Sequence, residues 1–211
     1  MLKKYGFYIF LITIYLFVLG KDTFIGLFKA KETNNFCTYN NLDYKLEYED
    51  LSELLNIKID NYNLIYSKII IRDIYDFYNK VTINKGLNDN IKKGNIVINS
   101  LGLIGVIDKV YKNYSEVKLI TNKDINISVK INNSYGILYS KDNKLYVNNI
   151  KLDNEIKVGD IVSTSGLTDI PGNIKIGTVT KVNRDSLELE YILDINTYNN
   201  FNNIKYVGVI V

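Results

Sequence analysis

The sequence predicts a mainly β protein: two small six-stranded-type β-barrel domains in tandem, preceded by a membrane helix and a short amphipathic or coiled-coil helix. The first observation behind this is an internal repeat. Ile91-Lys92-Lys93-Gly94-Asn95-Ile96-Val97 returns as Ile156-Lys157-Val158-Gly159-Asp160-Ile161-Val162, and Ile104-Gly105-Val106-Ile107 returns as Ile176-Gly177-Thr178-Val179. Two copies of one β-unit imply two similar small domains rather than one large active-site fold. The second is that short runs rich in β-branched and aromatic residues alternate with Gly- and Asn-marked turns from Leu64 onward. Such runs favour closed barrels, because closure removes sticky strand edges. The third is an uncharged apolar run from Tyr5 to Gly20 between basic flanks.

That run opens the first predicted segment, a cytoplasmic stub and transmembrane helix over 1–22. Its sixteen residues would reach about 24 Å as a helix against a hydrocarbon core of roughly 30 Å. Snorkelling by Lys4 and Lys21, or continuation through 23–28, covers the shortfall. A cleaved signal peptide is the rival reading, but no site of small residues follows Leu19. The basic flank puts the N-terminus in the cytoplasm and the chain after Lys21 outside.

A juxtamembrane linker over 23–40 precedes an amphipathic helix over 41–60. Within it Tyr44, Tyr48, Leu51 and Leu55 step by four, three and four, the a/d spacing of a coiled coil. The seam suits self-association; packing of the helix on its own domain is the competing reading. The first barrel is predicted over 61–132 and the second over 133–211. By subtraction, Gly94 and Gly159 lie 65 residues apart and Gly105 and Gly177 lie 72 apart. The second unit therefore holds a longer loop, stiffened by Pro171, the chain's only proline. Whether Tyr206–Val211 closes the second barrel or returns to the first is open at this level.

Composition bears on chemistry mostly by exclusion. The chain has no histidine, which removes the commonest general base and metal ligand and with it Ser-His and Cys-His nucleophile pairs. Cys37 is the sole cysteine, so no intrachain disulfide or Cys-rich zinc site can form. Carboxylate-only chemistry survives in principle, but no pattern singles out a pair. A net charge of +3 without a dense Lys/Arg stripe gives no footprint for nucleic acid. Thr164-Ser165-Gly166 lacks the rest of a phosphate loop and reads as a turn at a strand end. No catalytic, cofactor or metal residue is assigned, and the expectation is a protein that is not an enzyme.

Taken in order, Arg72-Asp73 with Phe77, Val81-Thr82-Ile83-Asn84-Lys85-Gly86, Gly94 with Val97, and Gly102-Leu103-Ile104-Gly105 resemble the rod shape-determining MreC family. Gly159-Asp160-Ile161-Val162, Thr164-Ser165-Gly166-Leu167 and Pro171 through Gly177 continue the match into the second barrel. The resemblance implies structural roles for Arg72, Asp73, Gly86, Gly94, Gly105, Gly159, Asp160, Thr164, Ser165, Gly166, Pro171 and Gly177. It further implies a scaffold of the bacterial cell-elongation machinery, anchored in the cell membrane with its barrels extracytoplasmic, organising and activating peptidoglycan synthesis. Its implied partners are MreD, the MreB-linked elongation complex and a penicillin-binding transpeptidase, with a homodimer or higher self-association. Tyr139 and Tyr146 are candidate interface residues, with core or edge-strand roles equally open. The alternative is an anchored β-barrel adaptor of another envelope complex.

Overall fold

The structure is a computed structural model that describes residues 49, 51–57, 62–153, 155–184 and 189–211. The apolar run, the juxtamembrane linker, and Tyr44 and Tyr48 of the seam lie outside these residues. Among the described residues no helix is long and apolar enough to cross a membrane.

Among the described residues, twelve strands form two closed six-stranded barrels. They are β1 (Leu64–Arg72), β2 (Lys80–Ile83), β3 (Ile96–Asn99), β4 (Gly102–Val110), β5 (Ser115–Leu119), β6 (Asn126–Ile131), β7 (Ser134–Lys141), β8 (Lys144–Lys151), β9 (Ile161–Thr164), β10 (Lys175–Arg184), β11 (Glu190–Thr197) and β12 (Tyr206–Ile210). The first barrel runs β1-β12-β3-β4-β5-β2 and the second β10-β11-β8-β7-β6-β9, all neighbours antiparallel.

Period-two alternation sets which side chains enter each barrel. In β6, Ile127, Val129 and Ile131 are buried, while the residues between them are only partly covered. In β12 the alternation is overridden, and every residue from Val207 to Ile210 is buried. The buried residues of the two barrels form one apolar cluster.

Two expected boundaries are corrected. The strand β6, assigned by the sequence to the first barrel, belongs to the second, where it pairs with β7 and β9. Asn132, at a φ of 52°, makes the tight turn that folds β6 onto β7, so the polar pair Asn132-Asn133 is a hairpin tip and not a domain boundary. The strand β12, which lay within the range given to the second barrel but whose placement the sequence left open, closes the first by pairing with β1 and β3. The barrels are therefore nested rather than strictly in tandem. The second, built from the contiguous strands β6 to β11, is inserted between β5 and β12 of the first.

Matching the repeats clarifies this. Strands β3, β4 and β5 correspond to β9, β10 and β11, and in the same cyclic order β12 occupies the place that β6 holds in the second barrel. The first barrel is in effect circularly permuted relative to the second.

Candidate interaction surfaces and the framework that carries them

The two copies of the repeat build the same joint. Gly94 and Gly159 adopt φ values of 91° and 97°, left-handed backbone that glycine takes at little cost. Their N–H groups donate to the Ile107 and Val179 carbonyls at 2.9 and 2.8 Å. The residue after each glycine braces its own turn: Asn95 Oδ1 accepts from the Lys92 N–H at 2.6 Å, and Asp160 Oδ2 from the Lys157 N–H at 2.8 Å. Asp160 also accepts from Asn132 Nδ2 at 2.9 Å, tying the β6–β7 turn to the β9 entry. Both copies then carry a bulge at equivalent places, between Ile107 and Lys109 and between Val179 and Lys181.

Gly105 and Gly177 answer a different demand. A Cβ on Gly105 would sit 2.1 Å from the Lys118 carbonyl oxygen, and one on Gly177 2.0 Å from that of Asn196. Gly86 is likewise crossed by backbone, 2.3 Å from Tyr111 O, and its N–H donates to Asp89 Oδ2 at 3.1 Å. In the longer loop of the second unit, the buried Thr164 hydroxyl donates to the Pro171 carbonyl at 2.6 Å and accepts from the Ile174 N–H at 2.9 Å. Ser165 pairs with the Ser128 hydroxyl at 2.8 Å, and Gly166, at φ 73°, lies against Gly172. The loop is stapled to the barrel by its own motif.

Arg72 and Asp73 sit where β1 ends. Asp73 Oδ1 accepts from the Tyr75 N–H at 2.9 Å. The Arg72 guanidinium lies over the Phe77 ring at 4.5 Å and donates to the Phe201 carbonyl. Burial, opposed by Tyr78, lowers its pKa from the ordinary value. Phe201 belongs to the segment that carries the chain from β11 back to β12, so Arg72 clasps the returning strand. Tyr78 adds a bond from its hydroxyl to Asn202 Oδ1 at 2.9 Å. The family-motif residues thus form framework joints, spread over both barrels rather than gathered in one site. Among the described residues no cluster of three or more metal-ligating side chains occurs.

The helical residues 51–55 set Leu54 against the first barrel. Leu54 is 1% exposed and approaches Gly208 of β12, while Tyr66 donates to the Leu55 carbonyl at 3.4 Å. Of the predicted seam, Leu51 is half-buried and Leu55 is 52% exposed. The docking residue, Leu54, stands outside the seam. Tyr139 and Tyr146 are half-buried and stack across β7 and β8 at 5.6 Å, a ladder contact on the barrel's outer wall. Burial, then Tyr146 and Asp194, push the Tyr139 hydroxyl's pKa up.

An apolar surface missed by sequence reading lies where β1 leaves the barrel. The bulge between Ile69 and Ile71 breaks the alternation, so Ile70 and Ile71 are both exposed. Ile74 and Tyr75 follow at 87% and 97% exposure. The legible signal was the run Ile69-Ile70-Ile71, which no single-faced alternation accommodates.

This framework has counterparts. The model of the rod shape-determining protein MreC, barrel core, matches residues 69–211. The cell shape-determining protein MreC of Listeria monocytogenes is 31% identical over 179 residues, covering 80% of this chain and 61% of that relative's length. The chain thus spans about three-fifths of the length of such relatives. A solved MreC structure from Listeria monocytogenes superposes with a TM-score of 0.69 at 28% identity, covering 82% of this chain and 88% of that one. A complex between penicillin-binding protein PBP2 and MreC from Helicobacter pylori shares the fold, with a TM-score of 0.56 at 20% identity over 70% of this chain and 98% of that one. Nested barrels, repeated glycine joints and a family match that reaches from β1 to the last residue converge on one assignment: the chain belongs to the rod shape-determining protein MreC family.

Proposed function

We propose that the chain is a membrane-anchored extracytoplasmic scaffold of the cell-elongation machinery, which organises peptidoglycan synthesis by holding a penicillin-binding transpeptidase. The observation that carries this is the exposed apolar surface of Ile70, Ile71, Ile74 and Tyr75 on a closed barrel. Apolar and aromatic side chains gathered on a rigid wall mark a protein contact. The MreC of Helicobacter pylori, found in complex with PBP2, supports the class of partner. A scaffold that binds one conformation of an enzyme more tightly than another shifts its population, which is how a protein without catalytic groups can activate one. The apolar run at 5–20 would supply the anchor, MreD and the MreB-linked complex the membrane and cytoplasmic neighbours, and Leu51 with Leu55 part of a self-association seam.

The test places a photo-crosslinking residue at Tyr75 in the intact protein in its native membrane. Capture of a penicillin-binding transpeptidase or MreD, diminished by Ile74→Lys without loss of thermal stability, supports the reading. Capture of transport components alone, or a soluble product cleaved near Gly20, overturns it.

A further inference from the structure

We propose that one end of the first barrel is a membrane-binding tip, whose occupant is the surface of a bilayer containing anionic phospholipid. Strand direction alternates round the closed barrel, so the β2–β3 connection over 84–95 and the β4–β5 hairpin share the end at which β1 begins. The links to the second barrel, after β5 and before β12, leave from the opposite end. The two loops are zipped into one unit. The Leu87 N–H donates to the Tyr111 carbonyl at 2.9 Å and the Asn88 N–H to that of Lys112 at 3.1 Å. Asn88 Nδ2 adds a bond to Asn113 Oδ1 at 2.7 Å.

This unit presents the chemistry of a lipid–water boundary. Leu87 is 59% exposed, and the exposed rings of Tyr111 and Tyr114 stack at 4.4 Å. Tyrosine rings settle at headgroup level, where an apolar body and a polar tip are both accommodated. Lysines nearby are drawn to anionic headgroups. The carboxylates of this end are already engaged: Asp89 by Lys85, Glu116 by Lys109, and Asp108 by both Lys93 and Lys118. Lys112, inside the hairpin turn, has no carboxylate partner among the described residues. Segments 84–95 and 108–118 together hold six lysines against three acidic residues.

The repeat supplies an internal control. The matching segments of the second barrel, 149–160 and 180–190, hold four basic and six acidic residues and no tyrosine. The same strand unit therefore closes a barrel with the opposite charge and without the rings, so neither is demanded by the fold. A basic excess beside projecting apolar and aromatic side chains, absent from the twin, is complementary to a surface that is anionic, apolar beneath and deformable. A bilayer has those three properties together. The inference concerns this tip alone; the anchor of the scaffold reading would add only that lipid is always within reach.

The chain has no tryptophan, so Tyr114→Trp, which keeps an aromatic ring against Tyr111, makes a single fluorescent reporter. Tyr135→Trp, at an exposed position of the second barrel, is the reference. Each full-length variant is combined with vesicles of phosphatidylcholine and phosphatidylglycerol in which brominated phosphatidylcholine is the quencher. Quenching of the Tyr114→Trp reporter and little of the Tyr135→Trp reporter is expected. Adding Lys112→Gln should lower the docking constant about fivefold, the equivalent of one lysine at an anionic surface. Leu87→Ser should weaken it in the same direction, and both side chains are exposed, so the barrel stays folded. No quenching at residue 114, equal quenching at both positions, or undiminished quenching in phosphatidylcholine alone overturns the proposal. Flotation after an alkaline carbonate wash reports the anchor separately. A chain that floats without quenching at residue 114 overturns the tip and leaves the anchor, whereas one that is quenched but stripped by carbonate upholds the tip and overturns the anchor.

Discussion

Gly105 and Gly177 face the same obstacle in different barrels, a carbonyl oxygen of the neighbouring strand within about two ångströms of where a Cβ would stand. Gly94 and Gly159 face open space and are held only by backbone sign. Alanine should therefore cost about 3 kcal/mol or more at Gly105 and Gly177, where backbone must shift, and about 1–2 kcal/mol at Gly94 and Gly159. Denaturant unfolding of the four variants checks both the ranking and its repetition between barrels. Asp89 adds a titratable joint. Its carboxylate takes a bond from Lys85 Nζ at 2.8 Å and one from the Gly86 N–H, and these hold its pKa below the ordinary value. A depressed folded-state pKa contributes stability that is complete above roughly pH 4 and fades as pH falls through the folded value. Asp89→Asn should accordingly lower the melting temperature at pH 7, and the deficit should shrink progressively as pH is taken below about 4. The pairing of glycines was legible in the sequence because a repeated residue at repeated spacing needs no knowledge of the fold. The backbone crossing at Gly86 was not, since the chain that crosses it lies some 25 residues downstream, at Tyr111 and Tyr114.

Among the elements, β12 is the one whose place depends most on others. It is bordered by β1 and β3, covered by Leu54, and preceded by the segment that Arg72 and Tyr78 hold. Arg72→Met retains much of the stem's packing on Phe77 but leaves the Phe201 carbonyl without its charged donor. A loss of about 1.5–3 kcal/mol is expected, with amide exchange rising first in residues 206–210 by hydrogen-exchange mass spectrometry. Leu54→Ala should cost about 2–4 kcal/mol through lost burial and the space left at Gly208, whereas Leu55→Ala should stay within about 0.5 kcal/mol in the isolated chain. Thermal unfolding of the pair separates the docking residue from the exposed one. Strand existence was legible at this scale from alternation and turn residues. Strand membership was not: β6 and β12 have equally good barrel patterns, and which barrel takes each is decided by non-local pairing that a single sequence does not display. The outward turn of Ile70 and Ile71 escaped for a related reason, since a bulge in the pairing with β2 overrides the alternation of β1.

At the scale of the molecule, insertion makes the two barrels unequal. The second barrel is one uninterrupted stretch from Asn126 to Thr197, whereas the first needs strands from both sides of that stretch. Removing residues 206–211 should leave the second barrel folded and open the first. Limited proteolysis of the truncated chain should then yield a resistant fragment starting near residue 120 and ending near 200, with the region before it degraded. Full resistance of residues 64–119 would contradict the topology. A cavity at the junction takes residues from the first barrel, the second and the returning segment. Its lining was invisible in the sequence, since Tyr78, Asn143, Asn196 and Asn199 are scattered among many similar residues and only the nested fold brings them together.

The position of β12 also sets an order in time. A ribosome releases the strands of the second barrel while β1 and β3 still have no partner between them. From Leu119 to Ile210 the chain grows by roughly ninety residues, on the order of ten seconds of synthesis at about 5–20 residues per second. Throughout that interval the nascent first barrel exposes two unpaired edges, and the platform for Leu54 does not yet exist. Any chain that stops short of Tyr206, by premature termination or by clipping, keeps those edges open and is marked for proteases by its own shape.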